Sequence, residues 1–117
     1  MALSVLIVDD DAPFRALARE LLEADGLVVT GEAADGESAL RQVAALDPDV
    51  VLLDVYLHGA NGCDLAAELT AGGARAAVVL VSSRPEASFG RRIAECGARG
   101  FIPKERLSAA ALTELVK

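Results

Sequence analysis

The 117-residue chain has no tryptophan, one tyrosine, three phenylalanines, one histidine, two cysteines and two lysines. Each scarcity excludes something. Aromatics make up 3% of a chain that is 53% hydrophobic, so the core must be built from Leu, Val, Ile and Ala, which suit buried strands crossed by helices. A single histidine, His58, makes a His-based metal cluster impossible and reads as an exposed loop residue. Cys63 and Cys96 lie far apart with no ligand-spaced neighbours, and read as reduced, partly buried thiols. No apolar run approaches the ~20 residues of a membrane helix. The N-terminus also lacks a cationic stretch, so a cytoplasmic protein without signal peptide or span is expected. Positive charge is short too. A net charge of −7 speaks against nucleic acid as a direct partner, because phosphate backbones are bound by clustered Lys and Arg.

What the chain does have is acids in unusual places. Asp9-Asp10 follow the apolar run Leu3–Val8, and Asp54 follows Val50–Leu53. Runs of this kind read as strands buried on both faces, which do not end in carboxylates for packing reasons. In an open α/β sheet, ligands bind at the strand ends. Two acids at one strand end and one at another can converge on a divalent cation.

The rest of the pattern supplies the sheet. Short apolar runs alternate five times with helical periods: Leu3–Val8, Leu27–Ala33, Val50–Val55, Ala77–Val81 and Phe101-Ile102 read as strands. Phe14, Leu17, Ala18, Leu21 and Leu22 share one helical face, with Pro13 in the first turn and Gly26 at the stop. Asp35 reads as the N-cap of a second helix ended by Asp47-Pro48. Leu65, Ala66 and Leu69 mark a third helix closed by Gly72-Gly73, and a fourth is expected over Glu86–Cys96. Ser108 caps a last helix carrying Leu112, Leu115 and Val116. Strict alternation with short connections predicts right-handed crossovers and a parallel sheet covered on both sides, in one domain spanning 1–117. All strand C-termini then share one edge. Asp9-Asp10, Asp54, Ser82-Ser83 and Lys104 meet there, and Asp10 or Asp11 is placed to cap the first helix. Lys104 is notable because nine of the eleven basic residues are Arg. A compact ammonium there can pair with a carboxylate or with a phosphoryl oxygen on it.

In this order and spacing, VLIVDD at Val5–Asp10, VVLLDVYLHGANG at Val50–Gly62, VVLVSS at Val78–Ser83 and GARGFIPK at Gly97–Lys104 resemble the receiver domain of two-component response regulators, over essentially the whole chain. The resemblance implies a flavodoxin-like (βα)5 fold of strand order 2-1-3-4-5. It implies Asp54 as phospho-acceptor and Mg²⁺ held by Asp9, Asp10 and Asp54 with the Tyr56 backbone carbonyl. Ser82 and Lys104 would meet the phosphoryl group, with Ser82 and Phe101 as switch residues. A sensor histidine kinase or phosphotransfer protein would be the donor. The face of fourth helix, fifth strand and fifth helix would serve an effector domain or a second copy. The module would be no enzyme beyond its own phosphorylation and dephosphorylation.

Three departures stand out: His58 where the family usually has Pro, Phe101 without the common tyrosine hydroxyl, and Glu105 where Pro often follows the lysine. A non-proline cis bond costs about 3 kcal/mol, so a trans Lys104–Glu105 bond is expected. Arg84 and Tyr56 flank the expected phosphate. Three other readings compete. A haloacid dehalogenase-like phosphatase would want a second acid where Asp54-Val55-Tyr56 has none. A flavodoxin-like cofactor binder would want a Ser/Thr/Gly-rich loop where Asp9-Asp10-Asp11 stand. A receiver-like docking or dimerisation module would not need the polar set, all of which is present.

Overall fold

In the computed structural model, which describes residues 2–57 and 59–117, five parallel strands form one sheet. His58 lies outside the described residues. Numbering only the strands of this sheet, the chain runs β1 (Ser4–Val8), α1 (Ala12–Ala24), β2 (Val28–Ala33), α2 (Gly36–Leu46) and β3 (Val50–Asp54). It continues through α3 (Gly62–Ala71), β4 (Ala77–Ser82), α4 (Arg92–Glu95), β5 (Gly100–Pro103) and α5 (Ala109–Val116). A short antiparallel ribbon, Tyr56–Leu57 with Ala60–Asn61, joins β3 to α3. The sheet order is β2-β1-β3-β4-β5, as the resemblance implied.

The order follows from burial. All five residues of β3 are buried, so it takes the centre between β1 and β4. Alternation then splits the core. Val5, Ile7, Leu52 and Val79 pack on Phe14, Ala18 and Leu22 of α1 and Leu112 of α5. On the other face Leu6, Val51, Leu53 and Leu80 meet Val43 of α2, Leu65 and Leu69 of α3 and Ile93 of α4. Each fully buried Leu, Ile or Val contributes about 1.5–3 kcal/mol.

The caps close the helices. Asp11 accepts from the Phe14 N–H at 3.4 Å, Asp35 from Ser38 at 2.8 Å, Asn61 from Cys63 at 2.8 Å and Ser108 from Ala111 at 3.0 Å. At the far end of the sheet, Asp49 accepts from the Ser4 N–H at 2.8 Å and from Arg75 at 2.9 Å, and these bonds hold its carboxyl below the usual range.

The expected helix over Glu86–Cys96 is broken. A 3-10 turn covers Glu86–Phe89, Gly90 takes φ +59, and only Arg92–Glu95 is α-helical. The left-handed backbone at Gly90 ends one helical turn before the next begins. The apolar face expected for α1 is also narrower than its sequence spacing. Phe14, Ala18 and Leu22 are buried, but Leu17 and Leu21 are 52% and 39% exposed. Among the described residues no peptide bond is cis, so Lys104–Glu105 is trans. No described helix is long and apolar enough to cross a membrane.

Candidate functional site

The C-terminal edge of the sheet gathers the acids. Asp9 continues the β1–β2 ladder by one step, its N–H donating to the Ala33 carbonyl at 3.0 Å, and it is fully buried. Asp54 ends β3 and is 6% exposed. Asp10 is exposed, yet one carboxylate oxygen from each of Asp9, Asp10 and Asp54 lies within 4.8 Å of the other two. The strand geometry therefore produces the convergence that the sequence positions predicted.

Lys104, in a 3-10 turn after β5, reaches back into this cluster. Its amine lies 2.7 Å from Asp9 Oδ2 and 3.4 Å from Asp54 Oδ2, with the Phe14 ring centroid 4.4 Å away. The approach to Asp9 Oδ2 is outside hydrogen-bonding geometry. That buried oxygen has a facing positive charge but no hydrogen-bond donor among the described residues. Burial pushes the Asp54 carboxyl up to about 6, the Asp9 charge adds to this, and Lys104 offsets only part. For Lys104 burial acts to lower the pKa, but Asp9 and Asp54 outweigh it and hold the amine above its usual value.

Three converging carboxylates, one of them buried against the Lys104 amine, make a set of hard oxygen donors. Such a donor set fits Mg²⁺, which takes carboxylate oxygens and keeps several waters. Soft or nitrogen-preferring metals would want thiolate or imidazole.

The remaining predicted residues surround this centre. The Tyr56 N–H donates to Asp54 Oδ1 at 3.2 Å. Ser82 ends β4, is buried, and its Oγ accepts the Arg84 N–H at 3.0 Å. The Arg84 guanidinium stacks 4.8 Å over the Tyr56 ring. Phe101 is half-buried, and Phe89 stands between it and Tyr56, with ring centroids 5.7 and 5.5 Å away. Phe89 stands four residues before Ile93 within the span expected to be the fourth helix, a spacing that reads as helix core and gives no sign of a link between the site's tyrosine and Phe101.

Gly62 carries a constraint the sequence did not reveal. Its N–H donates to the Val55 carbonyl at 2.7 Å, and a Cβ there would collide with the Asp54 carbonyl and stand 2.9 Å from Val55 Cα. Gly62→Ala must displace the segment carrying Asp54. The expected loss is about 2 kcal/mol of stability from overpacking, read by urea unfolding; a variant as stable as the parent would show that the loop yields without strain.

The site is an open rim. The groove of about 410 Å³ between α2 and α3, lined by Leu40, Val43, Leu69 and Arg75, contains none of the three acids.

Comparison with known proteins follows the same lines. A family profile described as "Response regulator receiver domain" matches residues 5–117. The chain is 37% identical over 114 residues to "Response regulator GacA" of Pseudomonas viridiflava, covering 97% of this chain and 51% of that protein. It is 30% identical over 103 residues to "DNA-binding transcriptional activator EvgA" of Escherichia coli K12, covering 88% and 50%. The chain thus spans about half the length of the curated relatives it matches. Among solved structures, the NarL signal receiver domain from Mycobacterium tuberculosis superposes with a TM-score of 0.90 at 31% identity, covering 98% of this chain and 96% of that one.

Proposed function

Since this chain belongs to the response regulator receiver family, we propose that residues 1–117 act as one receiver domain that takes a phosphoryl group onto Asp54 and passes the event to a partner. The observation that carries this reading is the Lys104 amine between Asp9 Oδ2 at 2.7 Å and Asp54 Oδ2 at 3.4 Å, with Asp10 completing an acid trio. An open rim suits a donor presented by another protein, such as the phospho-histidine of a sensor kinase or phosphotransfer protein.

Asp54 Oδ attacks phosphorus, forming an O–P bond as the donor's P–N bond breaks and its electron pair leaves with the imidazole. A negative nucleophile must approach a negative group, so charge neutralisation and positioning do most of the work. Asp9, Asp10 and the Asp54 carboxylate, with the Tyr56 carbonyl, would hold Mg²⁺. When bound it supplies positive charge to the transferring oxygens and a fixed orientation for them. Lys104 moves from its carboxylate partners to a phosphoryl oxygen. Ser82 gives up the Arg84 N–H contact to turn its hydroxyl toward the same group. Phe89 and Phe101 then repack, which changes the face of α4, β5 and α5 offered to an effector domain or a second copy. The chain catalyses only its own phosphorylation and dephosphorylation in this scheme.

Intact mass after incubation with Mg²⁺ and acetyl phosphate tests the proposal. A gain of one phosphoryl group, absent in Asp54→Asn, is expected. No gain in the parent would favour a phosphorylation-independent docking module, and turnover of a soluble phosphate ester would favour a hydrolase.

A further inference from the structure

Asp9 has three acceptor oxygens, and each meets a different group. Oδ1 takes the Asp11 N–H at 2.9 Å, Oδ2 faces the Lys104 amine at 2.7 Å, and the backbone carbonyl takes Arg15 Nη1 at 2.6 Å. The first two belong to the site already described. The third comes from α1, and the same guanidinium donates through Nε to Glu32 Oε1 at 3.1 Å. Glu32 is held in turn by Arg19 Nε on its other oxygen at 2.8 Å, and its backbone carbonyl accepts Gln42 Nε2 of α2 at 2.8 Å. Arg19 first, then Arg15, draws the Glu32 carboxyl below its usual range against the opposing effect of burial. The Arg15 and Glu32 side chains are only 20% and 30% exposed, so water competes weakly for the pair.

Glu32 faces α1 for an identifiable reason. Side chains alternate along a strand, so Val29 and Glu32, three residues apart, would ordinarily point to opposite faces. The β1–β2 register steps from Val5↔Val29 to Leu6↔Gly31, which makes Thr30 an extra residue. After this bulge Glu32 pairs with Ile7, on the face where Val29, Ile7 and Phe14 share a core, and Ala33 falls on the other face. Bulges near functional sites re-aim side chains in this way.

We propose that Arg15, clasped by the bulge-aimed Glu32, is a positioning residue for the metal-binding acids. It fixes the Asp9 carbonyl and with it the turn that presents Asp9 and Asp10. The proposal rests on the Mg²⁺ reading given above. Charge and positioning make opposite demands here. A guanidinium near a cation site repels the cation, so if charge were its whole effect, removing Arg15 would tighten Mg²⁺ binding. If it positions the acids, removing it weakens binding.

Calorimetric titration of the unphosphorylated chain with Mg²⁺ separates the two. Arg15→Lys keeps the charge but cannot donate to the Asp9 carbonyl and Glu32 together. Arg15→Met removes the charge and the clasp together, so charge alone predicts tighter Mg²⁺ binding and lost positioning predicts weaker. Each is expected to raise the Mg²⁺ dissociation constant by about tenfold, as loss of an outer-shell partner does, while Lys117→Gln leaves it unchanged. A merely structural role would lower the melting temperature of these variants without changing the affinity of the folded protein. An affinity equal to or tighter than the parent's, in whichever of the two variants still unfolds cooperatively, overturns the proposal. A parent that takes up no Mg²⁺ overturns the metal reading itself, and the role of Arg15 with it.

Discussion

Replacing Lys104 with methionine is expected to slow phosphoryl uptake from acetyl phosphate by about a hundredfold, the usual cost of losing one charge-stabilising donor at a reacting centre. It is also expected to lower metal-free stability at pH 7.5 by about 2–3 kcal/mol, somewhat less than the full cost of stranding a buried charge. Lys104 is the cation facing both Asp9 Oδ2 and Asp54 Oδ2, and those carboxylates are buried. Without the amine they face each other. The stability loss falls short of a fully stranded pair because Asp54 can take a proton. Its folded pKa, already about 6 with Lys104 present, rises further in the variant. A carboxyl whose folded pKa is raised contributes stability that is complete below its unfolded value near 3.8 and is lost as pH rises through the folded value. The deficit of Lys104→Met should therefore shrink between pH 7.5 and pH 5. Saturating Mg²⁺ should shrink it as well, and should bind the variant more tightly because a competing cation is gone. Urea unfolding at the two pH values, with and without Mg²⁺, reads all three effects. A deficit of the same size under every condition would show that Lys104 stabilises by packing on Phe14, and not by its charge.

Much of this arrangement is legible in the sequence, because it follows from the simplest rules. Apolar runs too long and too even to be half-exposed became strands, and carboxylates at their ends had to share an edge once the strands were parallel. Lys104 joined them because it directly follows β5. What was not legible depends on irregularities of the backbone. Gly90 reads as one small residue in a helical period, and only its positive φ shows that it splits the expected helix. Leu17 and Leu21 lie within the helical spacing of the buried stripe, but the packing of α1 on the sheet leaves them at its margin. The extra residue at Thr30 leaves no mark in composition, yet it decides which face Glu32 occupies and so whether Arg15 has an anchor. Phe89 looked like core and is core, but its neighbours on both sides are the aromatics of the site.

Asp54→Asn should be more stable than the parent without metal, by about 2–3 kcal/mol at neutral pH, the equivalent of a carboxyl shifted upward by about two pKa units. The parent ionises Asp54 in a buried position next to Asp9, against an unfolded value of 3.8 and a folded value of about 6. Between those values the folded state holds the extra proton, so parent stability falls as pH rises from about 4 to about 6 and is level above. The asparagine keeps a carbonyl oxygen for the Tyr56 N–H and for Lys104 but has nothing to ionise, so the fall that Asp54 causes over that window should be missing from its curve. Below pH 4 the two proteins should lose stability together. Asp49 and Glu32 have folded values below their unfolded ones, so their contributions are present above the unfolded values and disappear as pH falls through the folded ones. Both are untouched by the substitution, which makes the acid limb an internal control. Mg²⁺ should stabilise the parent more than the variant, since part of its effect is to relieve repulsion that the asparagine has already removed. Chemical unfolding from pH 3.5 to 8 is the measurement. Parallel curves between pH 4 and 7 would mean that Asp54 titrates normally and that the acids at this rim do not crowd one another.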